Sequence, residues 1–211
     1  MASVVQICNM ALSHIGSEAR VTSISPPDGS VEAGLCAVFY DQARTEMLEP
    51  GAWNFALKRE TLAALTNDSN VWAYAYAKPS DCMRPLRVLR PTPGVTVFTQ
   101  DSVALQADDR DSADFDVEGD VIYSNEPDAV LVYVRDVVDT SKFPPSFTGA
   151  LSFILASYLA GPIIKGNEGA KFADGMRQRA FNAAELAATA NANASSTSSH
   201  EHATSLVAVR A

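Results

Sequence analysis

Apolar residues recur at helical intervals near both ends of this chain but not in its middle, and that change of period constrains the fold more than any single motif. At the start, Ser3 and Gln6 stand at capping-box spacing, Val4, Cys8, Ala11 and Ile15 follow at helical intervals, and Gly16 supplies a stop. This predicts a first helix over roughly residues 4 to 15. The cluster Pro26-Pro27-Asp28-Gly29 cannot continue a helix and predicts a loop. From Val31 to Glu49 the apolar residues form two adjoining stripes, Val31, Leu35 and Val38 on one and Cys36, Tyr40, Ala43 and Met47 on the other. So wide a stripe predicts burial on more than one side, within a helical bundle or between subunits. Pro50-Gly51 ends this helix, and Trp53 and Phe55 follow as aromatic anchors for the core.

The helical period returns after Pro144-Pro145, where Phe147, Leu151, Ile154, Leu155, Tyr158 and Leu159 line one face. Gly161-Pro162 is expected to kink or break this third helix. A fourth is predicted over roughly Glu168 to Ala192, with Phe172, Met176, Ala180, Ala183 and Ala187 at helical intervals. Its many alanines permit close approach to a neighbour. In the middle, Trp72, Tyr74 and Tyr76 alternate with alanines, Val95 to Phe98 is β-branched, and Asp120 to Tyr123 and Val130 to Val134 read as strands. Pro79, Pro85, Pro91, Pro93 and Pro127 punctuate the region, which predicts short antiparallel strands rather than a parallel nucleotide-binding sheet.

This order predicts an α+β chain, mainly α: a four-helix bundle with a small antiparallel β module inserted between the second and third helices, plus an extended C-terminal tail. The expected boundaries are 1–52 and 143–193 for the bundle, 53–142 for the module and 194–211 for the tail. The tail is rich in serine and closes on Leu206-Val-Ala-Val-Arg210. Its composition predicts flexibility when free, with an apolar end able to add a strand to a partner or fill a groove on it.

Composition narrows the function. With 47% apolar and 19% charged residues the chain is neither wholly disordered nor a membrane protein by composition. The net charge is −9, and between Asp101 and Asp139 there are 12 acidic residues against only Arg110 and Arg135. A generalist DNA-binding surface needs the opposite sign, so tight nucleic-acid binding is disfavoured and a solvated acidic surface is expected. The apolar N-terminal stretch lacks a basic leader, and no secretory signal is expected. No stretch is expected to reach a membrane span, the tract Phe153 to Ile164 reading as a buried helix, so the protein is expected to be soluble and made in the cytoplasm. Cys8, Cys36 and Cys82 show no close pairing in sequence and no histidine at metal-ligand spacing, which predicts buried, reduced thiols.

The sequence carries no glycine-rich phosphate loop, no nucleophile elbow and no His-Glu-x-x-His. No catalytic residue, cofactor or metal site is therefore predicted. His14 is expected to cap or pack, and His200 and His202, flanking Glu201 in the tail, cannot preorganise a metal site. Glu46, Glu49 and Glu60 are the acids in the least hydrophilic company, and they are expected in surface or interhelix ion pairs rather than in acid catalysis. Arg84, Arg87 and Arg90 recur every third residue and are expected to pair with carboxylates of the same or an adjacent subunit.

Two runs carry a resemblance. Tyr40, Ala43, Arg44, Leu48, Trp53, Phe55 and Ala56 form one, and Tyr76, Pro79, Asp81, Cys82 and Arg84 the other. Together with the segments from Ile7 to Ile24 and from Leu151 to Ala188, they make the chain resemble the head-to-tail adaptor family, or tail tubular protein A, of podovirus-type phages. The matching segments are spread from Ile7 to Ala188, in the family's order. It implies a structural virion protein of the neck, assembled in the host cytoplasm, and no enzyme. It further implies a twelve-copy ring that docks beneath the portal protein, continues the DNA channel without specific DNA binding, and offers its lower face to the tail nozzle. Leu206, Val207, Val209 and Arg210 match the stretch that climbs onto the portal in that family. The rival expectation is a tail accessory factor that cleaves peptidoglycan.

Overall fold

The computed structural model describes residues 2–51, 53–90 and 112–196, with side chains to residue 189 in the last helix. It divides into two compact units, one of residues up to Phe55 together with those from Val137 onward, the other Ala56–Asp136.

The first unit holds four helices: α1 (Val4–His14), α2 (Val31–Leu48), α3 (Pro145–Ile164) and α4 (Gly166–Ser196). Three of the four starts have a local cause. The Ser3 side chain accepts from the Gln6 backbone N–H at 3.2 Å while the Gln6 side chain accepts from the Ser3 N–H at 2.8 Å, which closes the capping box. Ser30 caps α2 by accepting from the Ala33 N–H, and Pro145 opens α3 at a position whose own N–H would find no partner. At the end of α2, the indole of Trp53 turns back and donates to the Met47 carbonyl at 2.9 Å, satisfying one of the last orphaned carbonyls. Gly51 makes room for this turn, since a Cβ there would lie 2.2 Å from the indole nitrogen.

These helices do not form a four-helix bundle, and the expected fold class is overturned. The helix α3 packs against each of α1, α2 and α4. It can do so because it is apolar on all sides: Phe147, Leu151, Ile154, Leu155 and Leu159 are fully buried, and so are Ala150, Ala156 and Ala160 between them. A bundle of four equivalent amphipathic helices would leave one polar face on each. Phe147 also anchors an aromatic cluster, with ring centroids 5.0 Å from Trp53, 5.0 Å from Phe55 and 4.8 Å from Phe143. At 20 residues, α3 is long and apolar enough to cross a membrane by length and composition, contrary to expectation; 61% of its most apolar 18-residue stretch is buried inside the protein. The Gly161-Pro162 pair does not break it either. Pro162 sits in the last turn, where only one backbone bond is lost, and the helix runs on to Ile164. The reversal into α4 comes at Lys165 and Gly166, both with positive φ.

The second unit is larger in strand content than the small module expected. It contains eight strands: β1 (Leu57–Thr61), β2 (Ala64–Leu65), β3 (Tyr74–Ala77), β4 (Cys82–Leu89), β5 (Ser112–Ala113), β6 (Phe115–Glu118), β7 (Val121–Ser124) and β8 (Val130–Arg135). They form two four-stranded antiparallel sheets, in the orders β1-β8-β4-β5 and β2-β3-β7-β6. One core joins both sheets: Val88, Leu131 and Tyr133 from the first, Tyr76 and Ile122 from the second. Three of the expected stretches form strands: β3 takes in Tyr74 and Tyr76 of the alternating aromatic run, and β7 and β8 match the other two. The stretch Val95 to Phe98 lies outside the described residues, as do Leu206, Val207, Val209 and Arg210. The helix α4 runs through residues 194–196, at the head of the expected tail.

Candidate functional site

On β8, successive residues point to opposite faces of the sheet, so Val130, Val132 and Val134 share one and Leu131, Tyr133 and Arg135 the other. The partners of Tyr133 build a polar cluster on the second face. Its hydroxyl lies 2.9 Å from Glu60 Oε2 and 2.7 Å from Asp81 Oδ1. Lys58, directly opposite Tyr133 on β1, reaches the same two carboxylates at 2.9 and 3.1 Å. Burial works against charging Lys58, but its bonds to Glu60 and Asp81 outweigh that and raise its pKa. Burial alone would raise Asp81; donation from Tyr133 and Lys58 instead holds its carboxyl below the ordinary value. Burial and the two facing carboxylates push the Tyr133 phenol far up. A general acid needs a carboxyl kept protonated near neutral pH, and Asp81 is driven the other way. The cluster therefore clamps β1, β4 and β8 together.

The arginine row is divided. Period-two alternation would place Arg84 and Arg87 on opposite faces, but the register shifts between Pro85 and Arg87. Arg84 lies opposite Val134 and Arg87 opposite Val132, so both reach the valine face. Arg59 of β1 flanks Val132 from the other side. Burial, and secondarily the charge of Arg87, lowers the Arg59 pKa. Arg90, just past β4, pairs with Glu126 at 2.8 Å within its own unit. Sequence reasoning missed Arg59 and Lys58; their alternation in Lys58-Arg59-Glu60 was the available signal, obscured because no strand was expected there.

In the helical unit, Glu46 of α2 is the hub of an ion-pair network. It accepts from the Tyr158 hydroxyl of α3 and pairs with Arg177 of α4, while Gln42 donates to the Tyr158 oxygen at 3.3 Å. Arg44 is buried and donates to the Val137 carbonyl at 3.1 Å. His14 Nε2 lies 3.0 Å from Ser152 Oγ, and its ring stacks on Phe153 at 4.3 Å. That pairing resembles a nucleophile and its base, but the Ser152 hydroxyl already donates to the Gly149 carbonyl of its own helix at 2.7 Å, so the imidazole N–H must donate to Ser152 rather than take its proton. Burial, with the charge of Arg179 second, lowers the His14 pKa and keeps it neutral. Among the described residues no group of three or more His, Cys, Asp or Glu could hold a metal ion.

What remains open is surface. Of the two stripes on α2, one is buried through Cys36, Tyr40, Ala43 and Met47. The other is not: Val31 is 73% and Val38 68% exposed, with Leu35 half-buried between them. On α4, Phe172, Phe181 and Leu186 are exposed as well, Leu186 at 73%. Phe181 borders an apolar cleft of about 230 Å³ whose other wall is Met47, Pro50, Gly51 and Trp53. With 31 residues against 20 in α3, α4 outruns its hairpin partner by about 16 Å. Compared with known proteins, the chain matches no family model and no curated protein.

Proposed function

We propose that this chain is a structural subunit of the head-to-tail junction of a short-tailed phage, an adaptor that rings the exit beneath the portal protein, continues the DNA channel and carries the tail nozzle. The observation that carries the reading is the second apolar stripe of α2. A helix that buries one stripe in its own core and leaves Val31 and Val38 exposed, with Leu35 half-buried between them, has a face suited to a neighbouring copy. The resemblance supports it, since its most specific residues have structural work here: Arg44 ties α2 to the chain after β8, Trp53 caps α2, and Asp81 clamps the sheet.

The acidic balance fits a conduit for DNA. On the β6–β7 hairpin, Asp116, Glu118 and Asp120 are exposed, and like charge repels phosphate, so a genome passing such a surface slides rather than binds. The test is to mix the purified chain with the portal protein of the same virion and weigh the product. A ring of copies on the portal supports the proposal. A clear zone on a peptidoglycan zymogram, with no portal binding, would support the cell-wall-cleaving reading instead.

A further inference from the structure

The apolar cleft of the helical unit is built from one helix end and one helix face. The end of α2 and Trp53 form one wall; Phe181, Ala184, Glu185 and Ala188 recur at helical intervals on a single face of α4 and form the other. Met47 and Trp53 are buried, but Phe181 is left 37% exposed at the opening. Glu185 is the one charged residue of the lining; it is exposed, and among the described residues it makes no ion pair. Such a cleft suits a short apolar segment followed by a cation.

The chain itself carries one. Beyond Ser196, where α4 ends, Leu206, Val207, Ala208 and Val209 form an apolar run, no charge lies between His202 and that run, and Arg210 follows it directly. We propose that segment 206–209 docks in the cleft of its own chain, with Arg210 meeting Glu185. In an extended segment Leu206, Ala208 and Arg210 share one side, so an apolar side chain and the guanidinium can face the same wall. The reach suffices. Ala188 and Phe181 lie about 12 and 22 Å back along α4 from Ser196. The 10 residues from Ser196 to Leu206 span up to about 33 Å. A tether this short holds the segment at an effective concentration on the order of millimolar, above that of a separate copy in dilute solution, so the chain's own segment wins the cleft. The docking belongs to the free chain and holds whether or not a portal is involved.

The test introduces Ser205→Cys, beside the apolar run, into the full chain together with one of two partners on α4. Ala188→Cys stands at the cleft; Leu186→Cys replaces a side chain that is 73% exposed and turned about 200° away around the helix. Cys8, Cys36 and Cys82 are buried, so a short bismaleimide reaches the introduced thiols in the folded protein. Both α4 positions lie within reach, and an undocked tail would join them alike. The expected result is an intrachain cross-link from position 205 to 188 at least tenfold faster than from 205 to 186, at a rate independent of protein concentration. Leu206→Asp should abolish that preference, Glu185→Arg should weaken it, and Arg210→Glu added to Glu185→Arg should restore it. Equal rates at the two positions, no product at either, or a preference that survives Leu206→Asp would overturn the docking. A product between chains would overturn it in favour of a neighbouring copy's tail, and a charge swap without recovery would overturn the pairing of Arg210 with Glu185.

Discussion

His14 donates to Ser152, stacks on Phe153 and is kept neutral, first by burial and then by Arg179. Its folded pKa lies below the ordinary 6.5, so as pH falls through that value the unfolded chain binds a proton that the folded chain refuses. Stability should therefore drop as pH is lowered through 6.5 and stop dropping, as far as His14 is concerned, below its folded pKa. Urea melts of the wild type and of His14→Gln across this range check it: the variant's decline should be shallower. At Tyr133 one hydroxyl faces two carboxylates. Tyr133→Phe removes a charge-assisted bond and leaves Lys58 alone between Glu60 and Asp81, at an expected cost of about 1–3 kcal/mol in urea unfolding. Neither partnership was legible in the sequence. Ser152 is 138 residues from His14, and Tyr133 is 73 from Glu60, and local pattern carries no information about which distant polar groups meet.

At the scale of elements, the helices were readable because period, caps and stops agree: Ser3 with Gln6, Ser30, Pro145, and Pro50-Gly51. Their packing was not. The period of α3 shows a face only if the alanines and small polar residues are counted as solvent-side, and in the structure Ala150, Ser152, Ala156 and Ala160 are buried too. β4 was missed for a different reason. Pro85 reads as a breaker, yet it sits beside the irregularity that rotates Arg87 onto the valine face, where a proline is tolerated. The α3–α4 hairpin carries backbone strain. Lys165 has φ 62° and ψ 163°, a region that side chains with a Cβ avoid. Lys165→Gly should therefore stabilise the chain by about 0.5–1 kcal/mol, read as a higher thermal midpoint, even though glycine elsewhere in a helix destabilises.

At the scale of the whole molecule, the sequence order of helices, strands and helices was visible, while the two four-stranded sheets were hidden in short strands with mixed exposure. The exposed α2 stripe is the feature that folding within one chain leaves unexplained, and a neighbouring copy would explain it. Val38 is 68% exposed, so Val38→Glu should change the stability of the free chain by no more than about 0.5 kcal/mol while weakening self-association at least tenfold. The most direct test is native mass measurement of the chain alone, with the portal protein, and with Val38→Glu in its place. The account predicts a closed ring of copies on the portal for the wild type and a much reduced or absent ring for the folded variant. Failure of the wild-type chain to assemble on the portal, or an equally complete ring from Val38→Glu, would contradict it.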